Sequence, residues 1–308
     1  MTLVERFIVD SILASLAYLT VMAAAAVAAA FQHGGRREET VDDPKTLSVS
    51  RFTVPVSLLV PVDESSSAAG IAQTLSALLD LDYPELEVIV LAEALPPSIW
   101  DTLKSAWHLE AKEFFFRQTL ATAGVRKIYR SARDQRLMVV DKTPGGRADT
   151  LNCGVNLARF QYVSAIDLGI TFEEDALLRA MAAPLRDPAA VAAISCHLET
   201  ADGADAPGLQ PTLQRLASIR AVMDSRLTWR TLEAGFAPGN SVIVWRRDAV
   251  VHSGGFSDRA ADPDLDMMVR LHAAATVGIG GRVVRSAEIF GHVGPRAFTE
   301  RVAEYRDQ

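Results

Sequence analysis

The sequence predicts an α/β fold built on a mostly parallel sheet with flanking helices, and three observations lead there. Apolar runs of strand length, such as Val54–Val62 and Leu86–Ala92, alternate with stretches of helical spacing, the pattern of βαβ units. Those runs are continuously apolar, so helices cover both faces of the sheet. With 308 residues the chain can bury the core of one such domain with segments to spare.

The elements follow in order. From Phe7 to Phe31 the chain is apolar with Asp10 as its only charge, long enough to cross a bilayer. A cleaved signal peptide or a buried core helix are the other readings of this run. Glu5 and Asp10 disfavour the signal peptide, because they spoil its basic leading region. Arg36, Arg37 and Lys45 follow the span while only Arg6 precedes it, which predicts a single-pass cell-membrane protein with its bulk in the cytoplasm. Residues 32–52 read as a polar linker, 53–294 as the α/β domain and 295–308 as a polar tail. Within the domain, helical spacing marks 65–81, roughly 97–123, 148–160, 173–183, 213–234 and 266–275. Strands are predicted at 125–129, 137–141, 162–167, 190–197, 242–245 and 282–284, with Arg246–Arg247 in a basic turn after the penultimate one.

Composition excludes some functions. A net charge of −7 argues against nucleic acid as a partner, because phosphate binding needs a basic face. The six histidines are scattered and none pairs at zinc-ligand spacing. Two cysteines, Cys153 and Cys196, read as buried small hydrophobes in a reducing compartment.

In parallel sheets ligands sit beyond the strands' carboxyl ends, and Glu93, the segment Lys142–Arg147 and Asp167 all fall there. Gly145-Gly146-Arg147 opens a helix whose backbone N–H groups and dipole favour an anion such as a diphosphate, with an ordinary turn as the bland alternative. Asp167-Leu168-Gly169 offers one carboxylate at a strand end. Mg²⁺ often takes only one or two, with phosphates and waters completing its shell, and helix capping is the competing role. Asp262-Pro263-Asp264-Leu265-Asp266 gathers three carboxylates at a helix start, suited either to capping or to a general base.

Taken in order, these segments resemble the family 2 glycosyltransferases, in particular membrane-bound inverting enzymes related to cellulose and poly-N-acetylglucosamine synthases. The resemblance rests on Pro55–Pro61, Leu81–Val90, Val140–Gly154, Phe172–Leu177, Ser241–Val250, Gly254–Phe256 and Asp264–His272. It implies a GT-A fold, Rossmann-like, and a nucleotide-sugar donor, typically a UDP-sugar. It also implies a divalent metal, Mg²⁺ or Mn²⁺, held by Asp167, and displacement with inversion. On this resemblance Asp264 is the catalytic base. Glu93, Arg147, Asp149, Asn152 and Asp167 bind the donor, and Trp245, Arg246 and Arg247 lie on the acceptor side. The acceptor is a lipid or glycan, and other polysaccharide-assembly subunits are possible partners.

The chain departs from the family pattern at working positions. Ala92-Glu93 stands where two aspartates are usual, Gly169 where a second metal carboxylate is usual, and Pro263 where a glutamate precedes the base. The tail Glu304–Gln308 lacks the Gln-x-x-Arg-Trp motif of processive synthases, which predicts transfer of single sugars. The departures also motivate an alternative, an impaired glycosyltransferase-like scaffold subunit of an envelope polysaccharide complex. A third, remote reading is an unrelated doubly wound nucleotide-binding protein, which would need a glycine-rich turn after the first strand, and Pro61–Ser65 offers none.

Overall fold

A computed structural model describes residues 53–113, 115–186, 189–199, 241–260, 262–276 and 282–293. The expected anchor (7–31), linker (32–52), helix at 213–234 and tail (295–308) lie outside the described residues. Among the described residues, no helix is long and apolar enough to cross a membrane.

The chain runs β1 (Val56–Val62), α1 (Ala68–Leu79), β2 (Leu86–Glu93), α2 (Pro97–Trp107), β3 (Leu109–Lys112), β4 (Val125–Ser131), β5 (Leu137–Lys142) and α3 (Gly146–Leu157). It continues through β6 (Tyr162–Ala165), β7 (Ile170–Phe172), α4 (Ala176–Arg186), β8 (Ala190–Glu199), β9 (Ser241–Arg246), α5 (Arg247–His252), α6 (Pro263–Thr276) and β10 (Arg282–Val293). The strands form one sheet in the order β3-β4-β5-β2-β1-β6-β9-β8-β10-β7.

The centre of the sheet, β5-β2-β1-β6, is parallel, as the unbroken apolar runs predict. Outside this centre the expectation of a mostly parallel sheet holds only for the pair β8–β10, which also runs parallel. β4 returns antiparallel beside β5, and β9 runs antiparallel between β6 and β8. From β1 the chain steps outward to β2 and β5, then comes back to lay β6 on the other side of β1. That reversal opens a crevice at the carboxyl ends of β1 and β6, the usual ligand position of such sheets.

Two apolar layers sandwich the sheet. On one face Ile71, Leu75 and Leu78 of α1, Leu103 and Trp107 of α2, and Leu177 and Met181 of α4 pack against Leu58, Val60, Val88 and Val90. On the other, Leu151 and Val155 of α3, Val250 of α5 and Met267, Met268 and Leu271 of α6 pack against Leu59, Ile89, Leu91 and Val140. Ser67 caps α1, its hydroxyl accepting from Gly70 N at 3.0 Å. Cys153 is a buried free thiol, and burial pushes its pKa up to about 12, so it behaves as a small apolar side chain. The side chain of Cys196 lies outside the described residues.

Three elements differ from the sequence reading. The helix begun at Pro97 stops at Trp107, because His108 takes a left-handed conformation (φ 48°) and turns the chain into the β3–β4 hairpin. Ile170–Phe172 is a short strand paired with the end of β10, which itself runs to Val293. Arg247–His252 is a short helix where a turn was expected.

Candidate active site

Four charged side chains meet at the carboxyl edge of the parallel strands. Glu93 ends β2, Lys142 ends β5, Arg147 lies in the first turn of α3 and Asp167 follows β6. Asp264, in the first turn of α6, joins them from above the α3 face of the sheet.

Arg147 is the hub of the outer group. Its Nη1 donates to Asp167 Oδ1 at 2.8 Å, and its Nη2 lies 3.4 Å from Asp167 Oδ2 and 3.5 Å from Asp264 Oδ2. Burial pulls the guanidinium pKa down, but Asp167 and Asp264 outweigh that and leave it raised, so the group stays charged. Asp264 shows the opposite balance. Burial, with Asp262 and Asp167 adding to it, prevails over the attraction of Arg147 and pushes its pKa up to about 6. A carboxylate so placed can take a proton near neutral pH.

The start of α6 explains how Asp264 is freed for that. Asp262 does the capping, its Oδ1 accepting from the N–H groups of Asp264 and Leu265 at 3.0 Å each. Pro263 sits at the first helical position, where its missing N–H costs nothing, so the helix start accommodates it. Of the three carboxylates, Asp266 is engaged by Arg270 Nε at 2.8 Å, and Asp264 alone turns to Arg147.

A second, inner group lies beneath the Gly145-Gly146 turn. Lys142 is fully buried, ion-paired with Glu93 and, at 2.7 Å, with Asp149 Oδ2. Burial lowers the ammonium pKa, but hydrogen bonds to Asp149 and Glu93 more than restore it, leaving it raised. Glu93 Oε1 also accepts from Thr150 Oγ1 and, at 3.2 Å, from Gly145 N. Asp149 Oδ1 accepts from Ala123 N at 2.8 Å. Asp149 is therefore turned into the protein, holding the 123–124 loop. The sequence reading placed Lys142 at the ligand edge without giving it a role and missed Thr150, although a lysine closing the apolar run Leu137–Val140 was a signal of a buried charge.

Asn152 stands apart from the site. Its amide clamps the loop before α6, Nδ2 donating to Phe256 O at 2.9 Å and Oδ1 accepting from Phe256 N at 2.7 Å. Gly255 passes so close that a Cβ would lie 2.5 Å from Asn152 Oδ1, and its φ of 81° excludes most side chains as well. Arg270 holds the same loop from α6, through Ser253 O and Gly255 O at 2.5 and 2.7 Å.

Strand direction sets where Trp245, Arg246 and Arg247, expected on the acceptor side, lie in the fold. β9 is antiparallel to β6, with Arg246 opposite Tyr162 and Trp245 opposite Val163, so these residues lie at the far edge of the sheet from Asp167. Trp245 is 1% exposed and meets Phe256 edge-on, with ring centroids 6.0 Å apart. Arg246 Nε bonds Asp248 Oδ1 at 2.7 Å, and Arg247 Nε bonds Val155 O at 2.7 Å.

Gly169 has a φ of 84° and donates its N–H to Thr74 Oγ1 at 3.2 Å. The turn into β7 thus uses a left-handed residue where a second metal carboxylate was looked for. Among the described residues, no group of three or more His, Cys, Asp or Glu stands together as a ready metal cage.

No family model matches the chain, and no curated protein matches it. Among solved structures it is similar to a mannosyltransferase from Pyrobaculum calidifontis in complex with GDP-Man and Mn²⁺, with TM-score 0.53 and 16% identity over 92% of this chain and 72% of that one. It also matches residues 1–349 of S. aureus TarS in complex with UDP-GlcNAc, with TM-score 0.45 and 14% identity over 79% of this chain and 59% of that one. At 16% identity the likeness to the mannosyltransferase concerns architecture, and the fold of this chain is a glycosyltransferase fold.

Proposed function

We propose that the chain is a membrane-anchored, inverting glycosyltransferase of the family 2 kind. It transfers one sugar from a nucleotide-sugar, of the UDP-sugar class, to a lipid or glycan acceptor at the cytoplasmic face. The observation that carries this reading is the meeting of Asp167, Arg147 and Asp264 at the carboxyl edge of the parallel strands, in a glycosyltransferase fold. The similar mannosyltransferase structure holds a nucleotide-sugar and Mn²⁺, which supports the substrate class.

In this reading Asp264 accepts the proton of the acceptor hydroxyl while that oxygen attacks the anomeric carbon. The bond from that carbon to the diphosphate oxygen breaks, and the electron pair leaves with the diphosphate. Arg147 faces the growing negative charge, and the α3 N-terminus adds its dipole. Glu93, fixed at Oε1 by Lys142 and Thr150, borders the nucleoside side. Asn152 is assigned to the clamp on Phe256 and Asp149 to holding Lys142.

A divalent cation of the Mg²⁺ or Mn²⁺ class fits the residues present. Asp167 supplies a hard oxygen donor open to water, and one protein carboxylate suffices when phosphates complete the shell. Glu93, Asp149, Asp167 and Asp264 against Lys142 and Arg147 leave the site two negative charges in excess before a diphosphate arrives. The cation would be held by Asp167 and would supply charge neutralisation to the leaving diphosphate.

Titration of the full chain with UDP-GlcNAc, UDP-glucose and GDP-mannose, with and without Mn²⁺, tests the reading by heat and by release of UDP or GDP. Binding and slow release are expected for at least one donor, and no binding of any would end the enzyme reading. A second reading, an impaired scaffold subunit, is favoured by the closed Glu93–Lys142–Asp149 group and by Gly169. Donor binding without release in the presence of acceptor glycans would select it.

A further inference from the structure

Arg147 stands where a cation on Asp167 would stand. Its fork meets both Asp167 oxygens, at 2.8 and 3.4 Å, and reaches Asp264 at 3.5 Å. A Mg²⁺ or Mn²⁺ ion takes a carboxylate oxygen at roughly 2.0–2.1 Å, so ion and guanidinium would compete for the same lone pairs and repel each other. The site nevertheless carries two surplus negative charges that a diphosphate would worsen. One guanidinium already bound to two carboxylates does not offset them.

We propose that Arg147 blocks the cation position in the resting protein, so that a divalent ion is taken up only together with the donor's diphosphate. This rests on the glycosyltransferase reading above. A diphosphate presents the oxygens that a guanidinium fork matches as well as it matches a carboxylate. Arg147 can therefore pass from Asp167 to the diphosphate, and Asp167 is released to the incoming ion at the same moment. Gly169 has a part in this, since its turn brings no second carboxylate beside Asp167, and among the described residues no group of three or more His, Cys, Asp or Glu stands together as a ready cage. Arg147 in this view is a positioning residue that couples two ligands, and the coupling is reciprocal. UDP raises Mn²⁺ affinity by the same factor by which Mn²⁺ raises UDP affinity.

The test uses the full 308-residue chain and reads free Mn²⁺ by its electron paramagnetic resonance signal. Wild type is expected to bind Mn²⁺ weakly alone and at least about tenfold more tightly with saturating UDP or GDP, within the usual range of coupling between two ligands. Arg147→Gln should bind Mn²⁺ alone about tenfold more tightly than wild type does, and the gain on adding nucleotide should shrink to about threefold or less. The proposal is overturned if wild type binds Mn²⁺ equally well with and without nucleotide. It is also overturned if a natively folded Arg147→Gln gains no Mn²⁺ affinity. UDP binding unaffected by EDTA would remove the coupling while leaving the glycosyltransferase reading standing. If neither UDP nor GDP binds under any condition, both fall together. The wild-type titration decides the point even if the variant misfolds.

Discussion

At neutral pH Asp264 is ionised in a place that disfavours its charge, and two opposite consequences follow. Its pKa is raised from 3.8 to about 6, so between those values the unfolded chain loses its proton while the folded chain keeps it. Stability therefore falls as pH rises through that window and stays lower above it. Asp264→Asn should be more stable than wild type by about 1–2 kcal/mol at pH 8, after allowance for partial exposure and the lost Arg147 contact, and no more stable at pH 3.5. Thermal melts at the two pH values check this. Turnover should behave the other way, climbing through pH 6 to a plateau in wild type and dropping about 10²–10⁴-fold in Asp264→Asn. Donor affinity should stay within about threefold of wild type, because a base acts chiefly in the transition state. Gly169→Asp asks a different question of the same cleft. A Cβ there meets no atom within 4 Å, so the cost is backbone strain alone, about 1 kcal/mol at a φ of 84°. Mn²⁺ affinity in the absence of nucleotide should rise, as calorimetry would show. At this scale Asp167, Arg147 and Asp264 were legible because each stands at the start or end of an element. Lys142 was not, since its role depends on Asp149 and Glu93, which only the folded sheet brings to it.

Among the elements, α3 carries most of the architecture of the site, and its inward side chains are where substitution should be felt. Asn152→Ala would leave the Phe256 N–H and C=O buried without their partner, at a cost of about 2–3 kcal/mol read from denaturant unfolding. Asp149→Ala removes one of the two carboxylates paired with a fully buried lysine, leaving Glu93, and should cost about 1.5–3 kcal/mol. The raised Lys142 pKa also has a sign. Its pairing stabilises the fold fully below pH 10.5 and is lost as pH climbs through the higher folded value. Strand direction marks the limit of sequence reading here. Trp245-Arg246-Arg247 has the composition of a binding strip, but the antiparallel course of β9 sends it to the far edge. No local pattern distinguishes a parallel from an antiparallel neighbour when both strands are buried. The hairpin after Trp107 was hidden for a similar reason, because it hinges on His108 adopting a conformation that few residues adopt.

For the whole molecule, the parallel centre and the position of its ligand cleft followed from unbroken apolar runs and alternating helices. The wings did not, since β9, β8, β10 and β7 mix antiparallel and parallel pairs, several of them between segments distant in sequence. The stretch from Phe7 to Phe31 bears on how the domain is held in the cell. The full chain is expected to sediment with membranes and to be released by detergent but by neither high salt nor carbonate, and release by salt alone would point to a peripheral association. The Asn152–Phe256 and Arg270–Gly255 ties give the molecule one more property. They yoke the start of α6 to the body of α3, so the spacing of Asp264 from Arg147 is set by contacts that neither residue makes itself. For protein engineering, this separates what must be conserved from what can be varied. A library that keeps Asn152, Phe256 and Arg270 and randomises other cleft-side loops should vary the cleft while Asp264 stays in register with Arg147.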